Sequence, residues 1–155
     1  MANKTLYIDM DGTLTEFRHQ DKICINDWND TTIFENPEIC TSTILGIKLK
    51  MDFQEEHFTN IDFIYIITQV PYTNYKIHIK HKQDTYNILY DLFKKKGIKL
   101  DGIIFVNTAN YKDKVDYLID NDSDLTSTIL IDDTHSLLTK FEKTGGIAYH
   151  VSSFL

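Results

Sequence analysis

Five short apolar runs punctuate the chain, and four of them stop at a polar residue. Leu6-Tyr7-Ile8 ends at Asp9, Phe63 to Ile67 at Thr68, Ile103 to Val106 at Asn107, and Ile129 to Ile131 at Asp132; a last run covers Ile147 to Val151. The runs are short, rich in β-branched and aromatic residues, and unbroken rather than alternating. That is the pattern of strands buried on both faces in a parallel sheet. Helical patterns lie between them. From His81 to Lys96, Thr85, Leu89, Leu92 and Phe93 share one face, lysines fill the last turn, and Gly97 closes it. Lys112 to Asp120 predicts a shorter helix. His135 to Lys143 predicts another, with Leu138 and Phe141 inward and Gly145-Gly146 as the stop. Strands alternating with helices predict an α/β fold: a Rossmann-like parallel sheet flanked by helices and joined by right-handed crossovers.

Residues 16–60 interrupt this rhythm. The stretch is polar, aromatic and weakly periodic, with Trp28, Phe34, Pro37 and Phe53 scattered through it. It follows the first strand directly, which predicts a small cap-like insert over the sheet edge. No internal repeat, low-complexity tract or linker is present, so residues 1–155 read as a single domain carrying that insert.

Composition narrows the function classes. With 42% hydrophobic residues the chain can bury a core, and its net charge of −7 argues against a stable nucleic-acid partner. A small anionic substrate remains possible, because a local metal and one or two lysines override the global field. Cys24 and Cys40 have no metal-ligand spacing and read as free thiols of a reducing compartment. No leader pattern and no apolar stretch of about 18 residues is found, so the expected location is the cytoplasm. The histidines also lack metal spacing, and His78 and His81 read as surface residues.

In an open parallel sheet, ligands bind at the carboxyl ends of the strands. Reactive polar groups collect there in this chain. Asp9 and Asp11 sit two residues apart before Gly12, which lets backbone approach a phosphate closely. Taken alone, the segment could be an ordinary Asx turn. Asp132 and Asp133 end another strand; taken alone, they could be a helix cap. Two acidic pairs at neighbouring strand ends make a shared cation the simpler account. Magnesium suits such oxygen ligands, which gives Asp9, Asp11, Asp132 and Asp133 as metal-ligating candidates. The Thr68 hydroxyl, with the backbone amides that follow from Gln69, can donate to a phosphate oxygen. Lys112 and Lys114 open a helix before the strand leading to Asp132, where a lysine can neutralise phosphate and carboxylate together.

These segments resemble the haloacid dehalogenase-like phosphohydrolases. Asp9-Met10-Asp11-Gly12-Thr13 is similar to that family's first motif, Thr68 after an apolar strand to its second, Lys112 or Lys114 to its third, and Ile131-Asp132-Asp133 to its fourth. All four occur in order and cover nearly the whole chain. The resemblance implies Asp9 as nucleophile, Asp11 as general acid and base, and Thr68 with Lys112 on the phosphoryl oxygens. It also implies magnesium held by Asp9, the Asp11 carbonyl and Asp132, with Asp133 behind them. Within the family the chain is similar to small bacterial and phage 5'(3')-deoxyribonucleotidase-like proteins, by the insert, by Ile-Asp-Asp-Thr before a helix, and by Phe141 to Gly146. It is also similar to the phosphatase domain of phage polynucleotide kinase around Tyr111-Lys112-Asp113, which makes Lys112 the first choice and Lys114 the second.

The expected function is therefore a magnesium-dependent phosphatase of small phosphate monoesters, first of all a 5'-nucleotidase acting on (deoxy)nucleoside monophosphates. Phe17, Trp28 and Phe34 could stack a base, or could form the insert's own core. A 3'-phosphatase of nucleic-acid ends is the alternative, with Lys76, Lys80, His81 and Lys82 as its basic track. A catalytically silent binding protein is the third possibility, opposed by the presence of all four aspartates.

Overall fold

Alternation inside the apolar runs decides how the layers form. In the computed structural model, β1 (Thr5–Asp9), β6 (Phe63–Val70), β7 (Gly102–Asn107), β8 (Thr128–Asp132) and β9 (Ile147–His150) make one sheet in the order β7-β6-β1-β8-β9. All four pairings are parallel. The structure describes residues 4–16, 18–19, 22–23, 37–122 and 124–155. Leu6, Ile8, Ile64, Ile66, Ile129 and Ile131 face one side, with α1 (Thr41–Asp52) and α2 (Tyr75–Lys95) packed over them through Ile44, Ile47, Leu89 and Phe93. Tyr7, Ile67 and Leu130 face the other, under α3 (Lys114–Asn121) and α4 (His135–Lys143), which contribute Val115, Leu118, Leu138 and Phe141. Each fully buried side chain of this size stabilises the fold by about 1.5–3 kcal/mol. The two-faced burial is what makes the strands read as continuous apolar runs. The expected α/β architecture is the observed one.

Between β1 and α1 the described chain makes two small ladders. β2 (Thr15–Glu16) pairs antiparallel with β5 (Glu38–Ile39), and β3 (Arg18–His19) with β4 (Lys22–Ile23). Phe17, Trp28 and Phe34, considered for base stacking, and Cys24 lie outside the described residues. Within the stretch 16–60, residues 41–52 form a regular helix, α1, on the way from β1 to β6. Gly46 lets that helix seat directly on the backbone of Phe154, in the terminal 3-10 turn Val151–Phe154; a side chain at 46 would collide with the Phe154 carbonyl. Its periodicity was hard to see because Leu45 and Leu49 stay exposed while Ile44 and Ile47 are buried.

Two helix starts also differ. The second begins at Tyr75 rather than His81, and the third at Lys114 rather than Lys112. Asp113 caps the third helix by accepting from the Asp116 amide at 3.0 Å, which leaves Lys112 outside it. His78, expected on the surface, is fully buried on the inner face of the second helix. Among the described residues no helix is long and apolar enough to cross a membrane.

Candidate active site

The loop after β1 is wound around one carbonyl. Met10 O accepts from the amides of Leu14 at 2.9 Å and Thr15 at 3.0 Å, and Gly12 N donates to Thr15 O at 2.7 Å. Gly12 holds φ at 84°, and a Cβ there would strike the Asp133 carboxylate. Glycine is thus required twice, by the left-handed turn and by the approach to Asp133. The loop sets Asp9 and Asp11 to different sides, and each meets its own lysine.

Asp9, only 4% exposed, is gathered with Asp132 and Asp133 from the neighbouring strand end, with carboxylate oxygens within 4.8 Å of one another. Lys114 enters the cluster from the start of α3. Its Nζ lies 2.5 Å from Asp9 Oδ1 and 2.9 Å from Asp132 Oδ2. Thr13 Oγ1 donates to Asp9 Oδ2 at 3.0 Å. Gln69 anchors the helix start: its Oε1 accepts from Lys114 N at 3.2 Å, so this side chain positions the lysine. His150 Nε2, 3.2 Å from the Asp133 carbonyl, steadies the backbone there and stacks on His135 with ring centroids 4.2 Å apart.

Asp11 turns away from that cluster. Its Oδ2 accepts from Thr68 Oγ1 at 3.3 Å and is paired with the ammonium of Lys82, which also donates to Thr68 Oγ1 at 2.7 Å. Asp11 Oδ1 is buried and makes no hydrogen bond. Lys82 is 2% exposed on the inner face of α2. From sequence it is one of the residues that could form the basic track of the 3'-phosphatase alternative; here it is buried instead. The signal that could have placed it is spacing, since His78, Lys82, Thr85, Leu89 and Phe93 form one continuous buried stripe.

Lys112 is exposed and stands outside this constellation. The preference for Lys112 over Lys114 is corrected by the geometry: the Asp113 cap starts the helix at Lys114, two residues after Lys112, and it is Lys114 whose ammonium meets Asp9 and Asp132. Asp9, Asp11, Thr68, Lys114, Asp132 and Asp133 are brought together as expected.

Electrostatics distinguish the carboxylates. Burial pushes Asp9 well above the usual carboxylate range; Asp132 adds to the rise and Lys114 opposes it, and a hydrogen bond with Asp133 holds the proton. Asp133 is raised as well, first by burial. In Asp132, burial pushes upward but Lys114 and the Thr134 amide outweigh it, so the group is held low. Lys114 is held strongly protonated: burial works against its charge, and Asp9 and Asp132 more than offset it. Three carboxylates face one ammonium. The oxygen donors and this excess of negative charge suit a hard divalent cation such as magnesium, which would be held by Asp9, Asp132 and Asp133.

No family model matches the chain, and no curated relative matches it. Its fold is similar to that of a chain in the solved structure of a Pnkp1/Rnl/Hen1 complex, at 13% identity over 96% of this chain and 46% of that one, with a TM-score of 0.55. This chain spans less than half the length of that one. It is also similar to D,D-heptose 1,7-bisphosphate phosphatase from Burkholderia Thailandensis, at 10% identity over 93% and 75% of the two chains, with a TM-score of 0.49. The first likeness shows a shared fold, and the second is too slight to carry an argument.

Proposed function

We propose that this chain is a magnesium-dependent phosphomonoester hydrolase of the haloacid dehalogenase-like type, with Asp9 as nucleophile. The observation that carries the reading is Lys114. Its ammonium joins Asp9 to Asp132 in a buried carboxylate cluster at the carboxyl edge of the sheet. A purely structural ion pair would not need the third carboxylate of Asp133 beside it, nor a glycine held open for it.

Asp9 Oδ1 or Oδ2 attacks phosphorus, and the bond from phosphorus to the ester oxygen breaks. Asp11, in its acid form, gives its proton to the departing alkoxide. Water then attacks phosphorus and loses a proton to Asp11; the bond to Asp9 breaks, and phosphate leaves with Asp9 restored. Asp11 is suited to this exchange because Lys82 and Thr68 fix Oδ2, leaving Oδ1 as the oxygen without a hydrogen bond. Lys114 neutralises charge on the nucleophile and the transferring group. Magnesium, when bound, supplies Lewis-acid stabilisation of the phosphoryl oxygens. The residues act chiefly by positioning and charge neutralisation, as phosphoryl transfer demands.

The substrate we propose is a (deoxy)nucleoside monophosphate. The support is the resemblance to small deoxyribonucleotidase-like proteins together with the acidic character of the chain, which disfavours the polyanionic oligonucleotide that a 3'-phosphatase would bind. Of the basic track that the alternative needs, Lys82 is buried against Asp11, and Lys76 and Lys80 remain exposed. A screen of purified protein with magnesium against nucleoside 5'- and 3'-monophosphates, sugar phosphates and a 3'-phosphorylated oligonucleotide tests the reading. Release of phosphate from free nucleotides is the expected result. Preference for the oligonucleotide favours the alternative, and silence on every compound defeats both.

A further inference from the structure

The outer face of α1 carries an apolar row. Leu45, Leu49 and Phe53 follow one another at four-residue spacing, and all three are exposed. Phe53 is 76% exposed at the C-cap position, where its backbone (φ −83°, ψ 0°) nearly continues the helix. Leu155 adds another exposed side chain beside the row. Single exposed apolar residues are ordinary on a surface, but a contiguous row rimmed by charge marks an interaction face.

The two margins of the row are unlike. Along one, a groove of about 300 Å³ runs between α1 and the terminal turn, with Leu45, Gly46, Leu49, Ser153, Phe154 and Leu155 in its walls. Lys50, on the same margin, is answered within its own chain: its Nζ lies 3.3 Å from Glu55 Oε2 and 5.2 Å from the centroid of the Phe154 ring. Along the other margin, Lys48 and Asp52 form a pair at 2.8 Å, and both are partly open to solvent. Phe53, eight residues on from Leu45, has turned about 80° from it, toward the side of Gly46 and the groove.

We propose that this face is occupied by a second copy of the chain, the two α1 helices lying antiparallel about a two-fold axis. The face is complementary to itself. In such a pairing each margin meets its own counterpart running the other way, and contacts come in reciprocal pairs. An axis crossing α1 at Leu49 puts each Phe53 into the groove beside the partner's Leu45. Lys48 and Asp52 are centred on Lys50, so an axis there sets Lys48 against the partner's Asp52 and Asp52 against the partner's Lys48. The two crossing points differ by one residue, about 1.5 Å along a helix, so one axis serves both. The aromatic ring is the anchor, and the reciprocal charges fix the register. A foreign partner would give no reason for knob, groove and ion pair to share one centre. The face is one helix wide, so the dimer belongs among the small, weak interfaces, with a dissociation constant of about 10 μM. It does not depend on the proposed reaction.

Sedimentation velocity of the full chain, from about 1 to 500 μM, tests the dimer. The mass should rise from 18.1 kDa toward twice that value across this range. Phe53→Ala should weaken association at least tenfold and leave the melting temperature unchanged, because the ring is exposed. Lys48→Asp and Asp52→Lys should each weaken it by a similar factor, since like charges then face each other. Mixed in equal amounts, these two variants should associate as the natural chain does, because one now offers an acidic margin and the other a basic one. A chain that stays monomeric at 500 μM, its face left to some other partner, overturns the dimer. So does association that survives Phe53→Ala. Charge variants that associate like the natural chain, or a mixture that stays monomeric, overturn the antiparallel register and the proposal with it.

Discussion

Two buried lysines reach the same five-residue segment from opposite faces of the sheet. Lys114 comes from α3 and meets Asp9 and Asp132; Lys82 comes from α2 and meets Asp11 and Thr68. The carboxylates they serve are two residues apart, yet their surroundings share almost nothing. Around Asp9, burial first, and then two further aspartates that outnumber the lysine, drive its proton affinity up. Around Asp11, one oxygen is fixed by a lysine and a hydroxyl while the other makes no hydrogen bond. Carboxylates placed in such unlike settings take different roles. In the proposed reaction the first carboxylate attacks and the second exchanges protons.

Four substitutions and one titration test whether the two lysines and their carboxylates act differently. Asp9→Asn should lower kcat by about 10⁴-fold or more, because no other group can form the covalent intermediate; steady-state phosphate release measures it, and the metal-free thermal transition should be no lower than in the natural sequence. Lys114→Met should reduce kcat/KM about 1000-fold. It should also cost the metal-free protein about 3 kcal/mol in denaturant unfolding, since Asp9 and Asp132 lose their shared cation. Lys82→Met should cost about 100-fold in kcat, at the low end of acid–base contributions, with a smaller change in magnesium affinity than at Lys114. If the two lysine variants behave alike, the division of roles is wrong. Lys112→Ala should stay within about twofold of the natural activity, as expected of a surface change.

The titration concerns magnesium. The folded-state proton affinities of Asp9 and Asp133 are raised, so the stability they contribute is present at low pH and is lost as pH rises through their folded values. A cation must displace those protons. The rise in melting temperature on adding magnesium should therefore grow from pH 5.5 to pH 8. A shift that shrinks over that range would place the cation elsewhere.

The sheet was readable because strands buried on both faces leave unbroken apolar runs whose polar ends mark the carboxyl edge. That placed Asp9, Thr68 and Asp132 near one another before any geometry was known. Lys82 was not readable in the same way. It stands in a run with Lys80 and His81, and charge runs usually face solvent; only the stripe it shares with Thr85 and Leu89 gives it away. The order of Lys112 and Lys114 turned on a single cap. Asp113 accepts from the Asp116 amide and is pinned by Lys140 at 2.8 Å, which sets the helix start and thus which lysine points inward. The first helix was hidden by exposed leucines, Leu45 and Leu49, which break the apolar stripe that Ile44 and Ile47 begin.

The covalent step is the center of the account, and rapid acid quenching reaches it most directly. Protein mixed with magnesium and a phosphorus-labelled nucleoside monophosphate is quenched within a turnover, digested and mapped. Label on the peptide containing Asp9, absent from Asp9→Asn protein, is the predicted result. An active protein that leaves that peptide unlabelled, or carries the label on another residue, would contradict it.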